Sequence, residues 1–256
     1  MEFKSNYIIK DEWLTSVLRC DTYKLVIDDI SLVCLEKKGN KEYQYMTQLL
    51  NSRVFMFSKV KPHKIDQIRF LEERHFHLID TNIVFEKKIK QFFKKSKGYD
   101  IRFAGPYDEL PTMDLAGRSF KYSRFHLDNA IKKQKADTLK KEWAGNYFKN
   151  KRGDSMVLAI LEGNVVGFLL LLYDIPAATL LIDLIGVDRR YRRMGIASSM
   201  ISFAEEHCGD FKKIRVGTQL ANLPSIKFYQ DNGYKLLSSY YVFHYHNEVE
   251  SWKGRK

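Results

Sequence analysis

One stretch, ATLLIDLIGVDRRYRRMGIASSMISFAEEHCG (178–209), limits the fold more than any other. It opens as an apolar strand, ATLLIDLIGV (178–187), broken by a single acid, Asp183. It closes as a helix of small and apolar residues that begins near Gly195 and stops at Gly209. Between them a short loop holds Arg189, Arg190, Arg192 and Arg193. Positive charge is favoured at the other end of a helix, so four arginines ahead of a helix start need a reason. A helix N-terminus offers unsatisfied backbone N–H groups and a partial positive charge, and a glycine there lets an anion reach the backbone. Arg192, Arg193, Met194, Gly195, Ile196 and Ala197 supply that arrangement, with arginines to add direct phosphate contacts. The competing reading is a solvated basic turn. For Arg189 and Arg190 both readings stay open.

The rest of the chain alternates helices and strands around this unit. IRFAG (101–105) reads as a strand, and YDELPTMDLAGRSF (107–120) as a helix shortened or bent by Pro111 and Gly117. ADTLKKEWAGNYFKN (136–150) carries a helical apolar stripe, and MVLAILEGNVVGFLLLLYD (156–174) is a hairpin turning at Glu162–Gly163–Asn164. KKIRVGTQ (212–219) is a strand, LPSIKFYQDNG (223–233) a helix, and YKLLSSYYVFHYH (234–246) one long strand or two. This alternation predicts a mixed α/β domain over residues 99–248. Residues 1–95 form a second, less regular α/β half-domain, with strands at Tyr23–Ile27, Val54–Val60 and Leu78–Phe85 and helices around Tyr43–Leu50 and Ile65–Arg74. The basic run KKIKQFFKKSKG (87–98) reads as a linker or an amphipathic connection between them.

An internal echo accompanies this division. IRFLEERHFHLIDTNIVF (68–85) aligns without gaps to IKFYQDNGYKLLSSYYVF (226–243), with identities at Ile68/Ile226, Phe70/Phe228, Leu78/Leu236, Val84/Val242 and Phe85/Phe243. Both halves then end in the same helix–strand unit. Leu71 stands where the second copy has Tyr229, so the first copy lacks any polar chemistry at that position.

A formal net charge of +12 over 256 residues points to an anionic partner: a phosphorylated small molecule, a nucleic acid or a membrane surface. No aromatic-interleaved basic stripe or recognition-helix motif supports nucleic acid. The longest apolar run, Val165–Tyr173, is shorter than the roughly 20 residues a membrane span needs, and Met1–Lys10 lacks the apolar core of a secretory signal. A cytoplasmic protein is expected. Cys20, Cys34 and Cys208 are scattered and form neither a disulfide framework nor a metal-ligand spacing.

The strand, basic loop and glycine-led helix resemble the GCN5-related N-acetyltransferases, or GNAT family. Their signature, Gln/Arg-x-x-Gly-x-Gly/Ala after a buried strand, reads here as Arg192-x-x-Gly195-x-Ala197 after LLIDLIGVD. IRFAGPYDELPTMDLAGRSF resembles the family's first strand and helix, and NLPSIKFYQDNGYKLL its closing helix. The resemblance covers about residues 99–248 and implies a GNAT acyltransferase fold preceded by a degenerate half-GNAT-like domain. It implies acetyl-CoA as co-substrate, with the pyrophosphate on the Arg193–Ala197 amides and contacts from Ser198. The pantetheine arm would run beside the strand at 181–187, with Leu184, Ile185 and Val187 as contacts, and backbone N–H groups near Ile185–Val187 would hold the oxyanion. Asn222 would bond that arm. Tyr229 would protonate the departing thiolate, a role that suits a phenol because it keeps its proton at neutral pH. A narrower resemblance, carried by SFKYSRFHLD and IRVGTQLANLPSIKFYQDNG, is to the TDP-fucosamine acetyltransferases. It implies the amine of a nucleotide-linked 4-amino-4,6-dideoxy sugar as acceptor. The rivals are the same transfer to a peptide or small-metabolite amine, and a non-catalytic acyl-CoA-binding protein. A homodimer is compatible with either.

Other residues carry two readings. Asp183 in its apolar strand is a general base or water anchor, or else a hydrogen-bonded structural acid. In SRFHLD (123–128), Arg124 would grip a sugar diphosphate, and His126 or Asp128 would touch the sugar or relay the amine's proton. The bland alternative is a loop anchored by Phe125. The pairs His75/His77 and His244/His246 have no third ligand in sequence reach, so no metal is expected.

Overall fold

The computed structural model describes residues 3–89 and 98–247. Most of the basic run expected as a linker, residues 90–97, therefore lies outside the described residues. In chain order the elements begin with β1 (Ile8–Lys10), α1 (Glu12–Leu18), β2 (Asp21–Leu25), α2 (Asp29–Glu36), α3 (Lys41–Leu50), β3 (Val54–Val60), α4 (Ile65–Glu72) and β4 (His77–Lys88). They continue with β5 (Asp100–Phe103), α5 (Glu109–Ser119), α6 (Arg124–Leu127), α7 (Lys133–Phe148), β6 (Ser155–Leu161), β7 (Asn164–Asp174) and β8 (Thr179–Val187). The last are α8 (Ile196–His207), β9 (Lys213–Gln219), α9 (Leu223–Asp231) and β10 (Lys235–His246). Packing divides the chain into two units that do not follow sequence order. The first takes the chain up to Asn82, Leu127–Ile131 and the chain from Ser239; the second takes Ile83–His126 and Lys132–Ser238. Strands β4 and β10 thus each begin in one unit and end in the other.

In the first unit, side-chain caps start the helices: Asp11 for α1, Asp28 with Ser31 in a capping box for α2, and Asn40 for α3. β1 is antiparallel to β2, β2 parallel to β3, and β3 antiparallel to the end of β10. The core gathers Leu25, Leu35, Met46, Met56, Phe70, Leu71 and Phe243.

The second unit orders its strands β9–β8–β7–β6–β5, parallel only between β8 and β9. Both faces are covered, which explains the unbroken apolar run in β7. Val157, Leu169, Leu171, Met200 and Tyr229 fill one core, while Leu115, Ala144, Met156, Phe168, Leu170 and Leu184 fill the other. The hairpin between β6 and β7 closes on Glu162 (φ 49) and Gly163 (φ 75), the left-handed pair that a tight two-residue turn requires.

The sequence echo is a structural repeat. The gapless alignment sets Ile65 on Leu223, His77 on Lys235 and Lys88 on His246, which are the observed helix starts and strand ends. It also sets His75 on Gly233, and both adopt a left-handed backbone, with φ 61 and 81. The turn bonds match as well. Phe76 N–H donates to Leu71 O and Tyr234 N–H to Tyr229 O, each at 3.0 Å, while His75 and Gly233 donate to Glu72 O and Gln230 O at 2.9 and 3.0 Å. This is the Schellman arrangement that ends a helix and redirects the chain.

Candidate active site

The second unit contains a cleft of about 830 Å³. It exists because β8 pairs with β9 only through Thr179–Ile182, while its pairing with β7 continues to Val187. Beyond Ile182, the edge of β8 that faced β9 has no strand beside it among the described residues. The register with β7 also slips here: Leu170 opposes Leu184 and Leu171 opposes Ile182, so Asp183 is the extra residue of a bulge. Ile185, Gly186 and Val187 line the cleft on one side and Asn222, Phe228 and Tyr229 on the other.

The loop before α8 forms the cleft's end. Gly195 is the N-cap of α8 at φ 79, and the first helical bond runs from Ser199 N–H to Gly195 O. The N–H groups of Ile196, Ala197 and Ser198 therefore have no partner within the helix. A Cβ at position 195 would meet only the Tyr99 hydroxyl, at 3.6 Å, so the backbone angle rather than crowding demands glycine. Tyr99 fixes the loop by donating to Met194 O at 3.4 Å and sharing a bond with Ser199 Oγ at 2.9 Å.

The four arginines have different duties. Arg190 pairs with Asp188, whose carboxyl is held down at about 2 chiefly by that hydrogen bond. Arg192 donates to Val187 O (3.1 Å) and Ser119 O (3.2 Å), joining the end of β8 to the end of α5. Arg189 and Arg193 are exposed and make no hydrogen bond among the described residues; of these only Arg193, itself left-handed at φ 68, lines the cleft. Lys121, Arg192, Arg193 and Lys227 make the cleft basic against one carboxylate, Asp231, among the described lining residues.

Tyr229 is buried at the cleft wall, and burial pushes its phenol well above the ordinary range. No hydrogen bond of its hydroxyl is present among the described residues, and the ring packs against Phe85, Phe228 and Tyr234. Asn222 caps α9, accepting from Ser225 N–H and donating to Thr218 Oγ1. Ser198 donates to Asn232 Oδ1 at 3.0 Å, tying α8 to the end of α9.

Of the residues expected at the cofactor, the cleft gathers Ile185, Val187, Arg192, Arg193 and Gly195, then Ile196, Ala197, Ser198, Asn222 and Tyr229. It does not gather Leu184, which turns into the core with Phe168, or Met194, whose side chain is exposed. Asp183 also stays away. Its oxygens accept from Trp143 Nε1 (2.7 Å) and from Arg152 Nε and Nη2 (2.7 and 2.6 Å), the arrangement of a structural acid. Nearby, Lys140 lies over the rings of Phe120 and Trp143, and burial lowers its ammonium to about 7.

The acceptor loop divides similarly. Arg124 stacks on Phe125 and does not line the cleft. His126 is buried behind the cleft, but Ser123 lines it, and Ser123 Oγ lies 2.6 Å from His126 Nδ1. His126 Nε2 lies 3.0 Å from Asp137 Oδ1, and burial lowers the imidazole's pKa against the pull of Asp137. Asp128 packs in the first unit, where burial would raise its pKa, but bonds from His244 and His246 outweigh this and hold it low. The third donor that sequence spacing withheld from the His244/His246 pair is thus supplied by the fold. The cleft wall also includes Ser119–Ser123 and Gly186, and of these only Gly186 falls among the strand positions expected at the cofactor arm.

A model of the acetyltransferase (GNAT) family matches residues 120–234, which carry the cleft. These residues are a GNAT acetyltransferase domain. The chain is 22% identical over 215 residues to the spore coat polysaccharide biosynthesis protein SpsD of Bacillus subtilis, covering 83% of this chain and 71% of that one. Its fold is similar to a GCN5-related N-acetyltransferase from Sphaerobacter thermophilus, with a TM-score of 0.57 at 16% identity over 88% of this chain and 72% of the other. It is similar also to a tandem GNAT protein from the clavulanic acid biosynthesis pathway, with a TM-score of 0.58 at 12% identity over 90% and 76%. Among the described residues no helix is long and apolar enough to cross a membrane.

Proposed function

We propose that this GNAT acetyltransferase moves an acetyl group from acetyl-CoA to the primary amine of a nucleotide-activated amino-deoxy sugar, such as a TDP-4-amino-4,6-dideoxyhexose. The observation that carries the transfer chemistry is the buried Tyr229 phenol on the wall of a basic cleft, its pKa raised by burial and its hydroxyl without a hydrogen bond among the described residues. The free amides of Ile196–Ser198 and Arg193 suit a pyrophosphate. The unpaired edge of β8 suits an extended amide-bearing arm and a reacting carbonyl.

The amine attacks the thioester carbon, the carbon–sulfur bond breaks, and Tyr229 gives its proton to the sulfur. The proton lost by nitrogen passes to Ser123 Oγ while the Ser123 proton passes to His126 Nδ1. That route needs Nδ1 free and Nε2–H bonded to Asp137, which agrees with a neutral, buried imidazole. Asp183 takes no part. The acceptor reading draws support from the basic lining and from a relative named for polysaccharide biosynthesis.

The test is turnover with acetyl-CoA against a panel of TDP- and UDP-aminosugars, peptides and small amines. Acetylation of aminosugars above the other classes is expected; transfer to peptides alone would sink the acceptor reading. Because the His126 pKa is lowered, turnover should hold as pH falls to its ordinary value near 6.5 and decline only below it. His126→Gln should lower turnover about 10²-fold or more and abolish that acid limb. An unchanged limb would remove His126 from the proton route.

A further inference from the structure

We propose that Asp128, His244 and His246 form a binding site for one divalent transition-metal ion, with Zn²⁺ as the probe. All three side chains belong to the first unit. Along β10 successive residues alternate faces, so Phe243 and Tyr245 pack toward the core while His244 and His246 share the opposite side. Pairing with β3 sets His244 across from Phe57 and His246 across from Phe55. The Phe55 ring stands edge-on to His244 at 4.8 Å and stacks on His246 at 4.7 Å, which holds both imidazoles in place. Asp128 arrives from 116 residues away in sequence, in the turn after α6. Its Oδ1 is fixed by Ala130 N–H at 2.9 Å, which aims Oδ2 at both rings, 2.6 Å from His244 Nδ1 and 2.7 Å from His246 Nε2. These three atoms all lie within 4.8 Å of one another. The side chains of His244 and Asp128 are 0% and 4% exposed and that of His246 is 13% exposed, so an ion would be shielded yet reachable past His246.

Two imidazoles and one carboxylate are a donor set suited to zinc and similar ions, with a fourth position left for water or a small anion. With a proton on His244 Nδ1 and on His246 Nε2, the array is two hydrogen bonds to one oxygen. When each ring carries its proton on the other nitrogen, both lone pairs face Asp128 and no proton need leave. Metal–ligand bonds of about 2.0–2.2 Å set tetrahedral donors about 3.3 Å apart, so each ring must retreat from the carboxylate by about 0.7 Å. Side-chain rotation on a strand and in a turn can absorb that. The bound ion would clip the turn at 127–131 to the end of β10, replacing the two hydrogen bonds that now join them.

The experiment uses the full chain without a polyhistidine tag and without chelators. Zinc content is measured by elemental analysis, followed by stripping and titration with Zn²⁺ and Co²⁺ at neutral pH. One zinc per chain is expected, with Co²⁺ giving the intense visible bands of a four-coordinate nitrogen–oxygen site and no thiolate charge-transfer band. Asp128→Asn and His246→Gln, each checked for folding by circular dichroism, should weaken binding by about 10²-fold or more. Failure of the wild-type chain to hold Zn²⁺ would overturn the proposal and leave a hydrogen-bonded His–Asp–His cluster. So would retention in both folded variants, a thiolate band, or the weak bands of a six-coordinate aqueous ion. If neither variant folds, the Co²⁺ spectrum of the wild-type chain decides.

Discussion

The α4–β4 and α9–β10 segments are two copies of one device with opposite contents. Both turn at a left-handed residue and make the same pair of backbone bonds, and both strands run 12 residues. The equivalent position holds Leu71 in one and Tyr229 in the other. Leu71 is fully buried in an apolar core, and Tyr229 is nearly as buried but borders a cleft. The scaffold therefore tolerates either an apolar or a phenolic side chain at this point. The second copy also borders the gap that β8 leaves when it parts from β9. On the proposed function, fold and reactivity are separable here, and single substitutions test it.

The largest effect expected is from Tyr229→Phe. Loss of the proton donor should lower turnover about 10²–10⁴-fold. Acetyl-CoA affinity by calorimetry should stay within about threefold, because the cradle amides are untouched. Stability should hardly change, since the hydroxyl makes no protein hydrogen bond among the described residues. Turnover within a few-fold of wild type would erase the chemical half of the comparison. Leu71→Ala is the complement: by denaturant unfolding it should cost about 2–5 kcal/mol through a cavity beside Phe70. Leu71→Tyr carries the second copy's residue into the first. A buried hydroxyl without a partner should cost about 1–3 kcal/mol and add no activity; a neutral result would mean the first copy also keeps room for a polar group. The smallest pair concerns the turns. His75→Gly should stabilise by up to about 1 kcal/mol, and Gly233→Ala should destabilise by about the same, both read as shifts in the unfolding midpoint. A destabilising His75→Gly, or a neutral Gly233→Ala, would show that the two turns differ in strain despite their matching bonds.

Local signals disclosed much of this architecture. The helix start at Gly195, the hairpin at Glu162–Gly163 and the long β10 follow from glycine placement and apolar runs. The repeat was legible because the alignment runs without gaps and keeps identical apolar residues at matching positions, of which Phe85 and Phe243 are buried in both copies. The elements that escaped are short: β1 and α6 have three and four residues, and α1 has seven. α2 exposes Ile30 and Val33, which blurs its periodicity. The duties of acids were hidden for a different reason. Asp183 is claimed by Trp143 and Arg152, 40 and 31 residues away, and Asp128 by imidazoles more than 100 residues away. Nothing near either acid in sequence marks those partners. Likewise Ser123 was read only as part of a loop, and the fold made it the cleft end of a His126–Asp137 chain.

The crossing of β4 and β10 between units also sets a timetable. β3 ends at Val60, yet the strand that pairs with it, Tyr241–His246, is synthesised only after β9 and α9. A nascent chain therefore leaves the ribosome with the first unit's sheet open at β3 until β10 has been made. Folding the first half to completion before the second, the usual order for successive domains, is closed to this chain. A ribosome stalled shortly before codon 241 should display a protease-sensitive N-terminal half, and release of the last strand should close it.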